Sequence, residues 1–393
     1  MSENIFEPLV CSLSECTKVL VKNIKKILKL NKYDFKDLFR KIELKNKDDE
    51  YPKLMRIRKE EYFNVYIFST PVGITISDFK NKAEKIAFFL GTSEDNLRFE
   101  IKENYEIAIK VMTKVPNAIY DPMEMKRKDF KIPLGYSLNN NKMVYWDLIS
   151  SYNTHCYIAG SSGGGKSITL RLILTHLINC KSKRDIEFSI INTKRVDLKD
   201  FQYAKHTKHY MTGIEGVEGF LLNEIDEMER RYKILEKNDC DDLTEYREKI
   251  GKIPYRLIVV EEISSYKGNK EYQRAIELIA SQGRGAGMIL LLVTQLPSHE
   301  IMPNTIKCNI NTTIGLKTKD AIRSEIIAGK DSGLEKLRGN GHSKIFNGDY
   351  DGAEYQGLYI DKQTMKEIIN NNCKNKRAIE ASTSITPDNN KKL

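Results

Sequence analysis

The sequence predicts an α/β chain: a mostly parallel sheet flanked by helices, preceded by a small α+β module and a helical segment at the amino terminus. Three observations predict it. From residue 155 onward, apolar runs of strand length alternate with helix-like segments, the pattern of a parallel sheet buried on both faces. Between the first of these strands and its helix lies a glycine-rich turn, "GSSGGGKS". Ahead of it, residues 54–115 carry strand and helix signals in a different order and read as a separate unit.

Composition sets the outer limits. The chain has 393 residues, 40% hydrophobic and 30% charged, which is enough to build a core without disulfides or metal. Lys and Arg number 64 against 54 acids, a net charge of +10 that favours a polyanionic partner such as nucleic acid. A lysine-, asparagine- and isoleucine-rich composition accounts for that charge equally well. The 7 cysteines form no CxxC pair, and the amino terminus has no secretory pattern. Reduced thiols in the cytoplasm follow, and no zinc-ligand set is visible. No run approaches the roughly 18 to 20 apolar residues of a spanning helix, so any membrane association would come through a partner.

Taken in order, residues 1–50 form a basic helical segment. Leu13, Thr17, Leu20, Ile24 and Ile27 share one helical face, with Lys18, Lys22, Lys25, Lys26 and Lys29 largely elsewhere. A solvated amphipathic helix and a phosphate- or membrane-surface helix both fit. Residues 51–131 hold the α+β module: "YFNVYIFST" alternates as a strand, "SDFKNKAEKIAFFL" has helical spacing, and "LRFEIKENYEIAIKVM" gives two strands about a turn. Residues 116–153, with three prolines and "NNNK", read as a linker. The third region, 132–371, contains strands at "HCYIAG", "IEFSIINT", "YRLIVVEE", "MILLLVTQ" and "TTIGLKT". Helices fall at "SITLRLILTHLI", near 216–237, and at "KEYQRAIELIASQ". The polar tail 372–393 lacks apolar periodicity and reads as disordered.

The chemistry concentrates at four places. "GSSGGGKS" fits G-x-x-x-x-G-K-[ST], with Gly160, Ser161, Ser162, Gly163, Gly164, Gly165, Lys166 and Ser167 running into Ile168 at the start of a helix. The glycines let successive N–H groups turn inward as an anion nest, and the helix adds its positive end. Lys166 can reach β- and γ-phosphates, and the Ser167 hydroxyl can bind Mg²⁺, so the motif calls for ATP and Mg²⁺. "YRLIVVEE" ends in Glu261 and Glu262: the first acid would support Mg²⁺ and the second would polarise an attacking water. Aspartate is commoner at the first position. "MILLLVTQ" ends in Thr294 and Gln295, and Gln295 is the better γ-phosphate sensor, because an amide both donates and accepts. Arg284, between glycines in "SQGRGAG", fits an arginine finger reaching a neighbouring subunit and equally a loop arginine in a local ion pair.

Together these segments resemble the motor domain of the FtsK/SpoIIIE family. The likeness runs from "IPLGYSLNNN" through the glycine-rich turn and continues in "INTKRVDLKDF", similar to that family's Asp-Pro-Lys-Arg-x-Glu-Leu segment. It extends to "EIDEMERRYKIL", similar to its Glu-Met-x-x-Arg-Tyr helix, and then to "IASQGRGAGMILLLVTQLPS" and "GLEKLRGNGHSKI". The resemblance implies a RecA-like P-loop ATPase that assembles as a hexameric ring on double-stranded DNA, with nucleotide between subunits. It assigns Gly160 to Ser167 to the phosphates, Glu261 and Glu262 to the acidic pair, Gln295 to sensing and Arg284 to action in trans. His342 stands where the family usually has Asp. The membrane region and carboxy-terminal winged helix of the cell-division members have no counterpart here. The expectation is therefore a compact motor of a mobile element, a conjugative coupling protein meeting a relaxase or a membrane channel component.

Lys194 and Arg195 are candidate DNA contacts, and an exposed basic pair without such a role fits as well. Two other functions stay open: a protein-export ATPase of the type VII kind, and a DNA-binding accessory protein that uses ATP as an assembly switch.

Overall fold

The computed structural model describes residues 33–373. The basic face expected over residues 10–30 and nearly all of the polar tail lie outside them. The chain divides into two compact units, one ending at Val115 and one beginning at Pro116.

The first unit contains α1 (Phe35–Lys41), β1 (Lys53–Lys59), β2 (Phe63–Ser69), α2 (Ile76–Asn81), α3 (Ala83–Leu90), β3 (Leu97–Ile101) and β4 (Ile107–Met112). Its strands form an antiparallel sheet in the order β1-β2-β4-β3. Aromatic residues build the core: Phe39 packs edge-on against Phe68 at 5.2 Å and against Phe79 at 5.7 Å. Edge-to-face packing of this kind suits the ring quadrupoles. The single helix expected over 77–90 is two. Lys82, with φ −107° and ψ 10°, leaves the helical region, and Asp78 closes a capping box on Thr75 at the first start.

The second unit holds β5 (Lys131–Ser137), β6 (Met143–Asp147), β7 (Cys156–Ala159), α4 (Lys166–Cys180), β8 (Ile186–Asn192), β9 (Thr207–Thr212), α5 (Val217–Lys237) and α6 (Leu243–Lys249). It continues with β10 (Tyr255–Val260), α7 (Lys270–Gln282), β11 (Met288–Thr294), α8 (Asn304–Lys307), β12 (Thr312–Leu316), α9 (Ala321–Ala328), β13 (His342–Phe346), β14 (Asp351–Gly357) and α10 (Lys362–Asn371). These strands make one ten-stranded sheet in the order β6-β5-β14-β13-β12-β7-β11-β10-β8-β9. From β12 to β9 all neighbours are parallel; from β12 to β6 all are antiparallel.

The parallel strands read as unbroken apolar runs because both faces are covered. On β10, Leu257 and Val259 enter the core beneath α4, while Ile258 and Val260 enter the core beneath α5 and α7. On β11, Ile289, Leu291 and Val293 face the first core, and Met288, Leu290 and Leu292 the second. A strand buried on both sides has no polar alternation to show. One polar cluster crosses this packing: Glu224 of α5 is fully buried, accepting from Ser189 Oγ at 2.6 Å and from Arg256 Nη1 at 2.9 Å.

The antiparallel wing corrects the linker expected over 116–153, which contributes β5 and β6 instead. Two features hid it. Pro133 breaks the strand signal, and a bulge between Pro133 and Gly135 lets the chain press against β14. A Cβ on Gly135 would lie 2.1 Å from the Gln356 carbonyl oxygen, so only glycine permits that approach. Ahead of β5, Ala118 and Tyr120 are buried in the core of the second unit, and Ile119 bridges to Tyr359. The sequence boundary of 131/132 and the structural division after Val115 differ by that stretch.

His155 ties the sheet together at the start of β7. Its Nδ1 accepts from Leu290 N–H at 3.0 Å and its carbonyl from Thr312 N–H at 2.9 Å. Burial lowers its pKa from 6.5 to about 4. Between those values the unfolded chain binds the proton and the folded chain does not. The contribution is therefore complete above pH 6.5 and is lost as pH falls toward 4, on the order of 3 kcal/mol. Urea unfolding should accordingly show stability falling between pH 6.5 and 4.5, and His155→Gln should shrink that fall. An unchanged fall in the variant would contradict the assignment.

Candidate nucleotide site

The carboxyl ends of the parallel strands lie along one edge of the sheet, where α/β folds commonly hold ligands. From one side of that edge to the other come Lys317 after β12, the glycine-rich turn after β7, Gln295 after β11, Glu261 and Glu262 after β10, and the 193–198 loop after β8.

The turn from Gly160 to Gly165 is held on both flanks. Ser161 N–H donates to the Lys317 carbonyl at 2.7 Å, and Gly341 N–H donates to the Gly164 carbonyl at 2.9 Å. Gly165 has φ +115°, and a Cβ there would lie 2.9 Å from Gly341 N. A side chain at that point is excluded by both conformation and space. α4 begins at Lys166, so the N–H groups of its first turn, Ser167 and Ile168 among them, have no intrahelical acceptor and lie beside the turn. Lys166 is buried, with Nζ donating to the Gly160 and Ser161 carbonyls at 2.6 Å each. Burial lowers its pKa to about 8, with Lys194 adding to the shift and Glu262 opposing it.

The two carboxylates after β10 meet different surroundings. Glu262 Oε1 accepts from Ser264 Oγ at 2.6 Å, Thr294 Oγ1 at 2.7 Å and Gln295 N–H at 3.1 Å, and its Oε2 pairs with Lys194 Nζ at 3.2 Å. Burial alone would raise its pKa, but these donors outweigh it and hold the carboxyl below its usual value. Glu261 Oε2 accepts only the Lys194 N–H, at 3.1 Å, and its Oε1 is buried with no partner. Burial first, and Asp197 beside it second, raise its pKa to about 7. Ser167 Oγ donates to Asp197 Oδ2 at 2.9 Å.

These residues fit a magnesium–nucleotide. The turn offers a cradle of N–H groups that a Cβ at Gly165 would fill, and the bare Glu261 oxygen is an acceptor awaiting a partner. Among the described residues no cluster of three His, Cys, Asp or Glu side chains could hold an ion unaided. A divalent cation would lean on the Ser167 hydroxyl, phosphate oxygens and water, as Mg²⁺ commonly does.

Residues 117–298 match the FtsK/SpoIIIE family model. Over this segment the chain is similar to that family. Over 306 residues, 74% of the chain, it is 29% identical to "DNA translocase FtsK" of Borreliella burgdorferi, and it spans 38% of that relative's length. Among solved structures it is similar to the pCW3 conjugation coupling protein TcpA with ATPγS, with TM-score 0.58 and 20% identity, covering 84% of this chain and 96% of that one. It is also similar to the type VII secretion ATPase EccC of Thermomonospora curvata, with TM-score 0.58 and 18% identity over 65% of this chain and 33% of that one. These structural likenesses carry the fold alone, an α/β architecture.

The family's motifs take definite places. Arg284 is exposed in the turn before β11, at the opposite edge of the sheet from Lys166. The seven residues of β11 separate the two edges, roughly 20 Å. That turn is fixed by the FtsK-like helix motif in α5: buried Arg231 donates to the Ala286 carbonyl at 3.0 Å, and Tyr232 to the Gln282 carbonyl. His342 also has an explanation. Its Nδ1 accepts the Arg338 N–H at 3.1 Å, a task the family's carboxylate could perform, and its Nε2 meets Glu354 at 2.6 Å. Lys194 pairs with Glu262 rather than standing free, while Arg195, at φ +65°, stays exposed.

Sequence reading missed Asp197, Ser264 and the Gly339–Gly341 turn as parts of the site. Asp197 occupies the acidic position of the "KRVDL" segment, and that was the available signal. Gly165→Ala should abolish binding of a fluorescent ATP analogue at concentrations that saturate the unaltered chain. An affinity within a few-fold of the original would refute the cradle.

Proposed function

We propose that the chain is an ATP-driven translocase of double-stranded DNA, working as a homo-oligomeric ring, hexameric by family resemblance, on behalf of a mobile element in the manner of a conjugative coupling protein. One observation carries the oligomer: the phosphate-binding edge and Arg284 lie at opposite ends of one sheet. No movement of a loop within one subunit spans that distance, whereas a second copy can bring its arginine to the first copy's triphosphate. The net charge of +10 and the family's named DNA translocases support DNA as the polymer.

In this reading, Gly160 to Ile168 and Lys166 hold the phosphates, and Ser167 and Glu261 serve Mg²⁺, which when bound neutralises charge on phosphate oxygens. Glu262 accepts the proton of an attacking water. Its Oε1 is taken by Thr294, Ser264 and the Gln295 N–H, while Oε2 meets Lys194 Nζ at 3.2 Å and shares the Gln295 N–H at 3.3 Å, so Oε2 is the less committed oxygen and would take the proton. Gln295, whose backbone N–H reaches Glu262, would report the γ-phosphate through its side chain. DNA would be held mainly through phosphates, with Arg195 an exposed candidate. A relaxase or a membrane channel component is the expected partner. Among the described residues no helix is long and apolar enough to cross a membrane.

ATP turnover with and without duplex DNA, joined to triplex displacement, tests this directly. Duplex DNA should stimulate turnover strongly, and the stimulation should fall steeply between about 50 and 200 mM salt. Lys166→Ala should abolish turnover and displacement, and Glu262→Gln should bind ATP while losing at least about a hundredfold in turnover. Turnover indifferent to DNA would point to protein export. Slow, unstimulated turnover with retained DNA binding would point to an assembly switch.

A further inference from the structure

Asp197 has a place in the nucleotide site that no motif assigns. Its Oδ2 accepts from Ser167 Oγ at 2.9 Å, its Oδ1 from Arg171 Nη2 at 2.6 Å, and its carbonyl from Arg171 Nε at 3.1 Å. Ser167 and Arg171 lie four residues apart on α4 and so share one face of the helix. Asp197 itself sits on the loop after β8, whose Lys194 N–H also holds Glu261 at 3.1 Å. The Asp197 carboxylate is therefore clamped from one side by a guanidinium and spends its other oxygen on the Ser167 hydroxyl at the phosphate loop's helix start.

A hydroxyl carries one proton and two acceptor lone pairs. With its proton committed to Asp197, Ser167 turns its lone pairs away from the carboxylate and keeps both for a cation. A carboxylate that only stapled this loop to α4 would need Arg171 alone. We propose that Asp197, fixed by Arg171, is the positioning residue of the magnesium site: it orients Ser167 toward the divalent ion without ligating it. The proposal rests on the nucleotide reading above.

The test compares two affinities of the chain: Mn²⁺ for the ATPγS-loaded protein, read by electron paramagnetic resonance of free Mn²⁺, and a fluorescent ATP analogue in excess EDTA. Asp197→Ala should weaken Mn²⁺ binding about 10- to 100-fold, the usual loss for a group that orients a metal ligand, while metal-free nucleotide affinity moves less than about threefold. Asp197→Glu keeps the acceptor and the charge and should recover most of the Mn²⁺ affinity. Arg171→Ala should show a smaller loss in the same direction. Should Asp197→Ala fail to fold, Asp197→Asn carries the same comparison, with a loss of about 10-fold expected. Unchanged Mn²⁺ affinity overturns the proposal, and so do equal losses with and without metal, which mark a structural staple. An unaltered chain that binds no ATPγS overturns the nucleotide reading itself, and the two failures are thereby distinct.

Discussion

Two adjacent carboxylates removed from water at the end of β10 are the constraint around which the phosphate-facing edge is arranged. Glu261 and Glu262 are 3% and 6% exposed. Burying one ionised carboxylate is expensive, and burying two neighbours together is worse unless each finds donors. Beyond the end of β10 the two part, Glu262 bonding to residues at the end of β11 and Glu261 to the loop after β8. Four donors surround Glu262, including Lys194 Nζ, and keep it ionised. Glu261 receives one N–H and keeps a bare oxygen. Neighbouring titratable groups pushed in opposite directions are the usual mark of divided labour in a site. Here the division follows from which strand lies on each side.

Strand order sets the remaining geometry. Because β7 lies between β11 and β12, the glycine-rich turn is flanked by Gln295 on one side and Lys317 on the other. Because β10 lies between β11 and β8, its acids face Thr294 across one gap and Lys194 across the other. The antiparallel wing closes the far side: the turn before β13 delivers Gly341 against Gly165. Reversing any one strand would carry its polar end to the edge where Arg284 lies.

Much of this was legible in the sequence, for reasons particular residues make plain. The phosphate loop is a local motif whose glycines, lysine and serine must be contiguous, and the acids after "LIVV" announce the end of a buried strand. The wing was not legible. Gly135 and Pro133 are dictated by the approach of β14, more than two hundred residues later in the chain, and local propensity speaks against a strand there. Within the site, the partners of Glu262 were hidden for the same reason. Ser264 and Thr294 are ordinary hydroxyls until the sheet places them at one oxygen. Lys194 looked like a solvent-facing cation because nothing nearby in sequence shows that β8 adjoins β10.

The same adjacency explains why a glutamate occupies position 261, where an aspartate is commoner. Its Oε2 reaches across to the Lys194 N–H at 3.1 Å, fixing the start of the loop that carries Asp197. An aspartate would fall short by about 1.5 Å, one carbon–carbon bond. That would leave the Lys194 N–H without its acceptor and remove one of the loop's holds, beside those of Arg171 and Ser167 on Asp197 and of Glu262 on the Lys194 side chain. The extra methylene thus fastens the 193–197 loop at its near end while Asp197 fastens it at the far end. Lys194 and Arg195 are held between, one side chain on Glu262 and the other facing solvent. A group that contacts this loop from outside acts on the partner of the Glu262 carboxylate through two residues of backbone fixed at both ends, a shorter mechanical route than any that passes through the core.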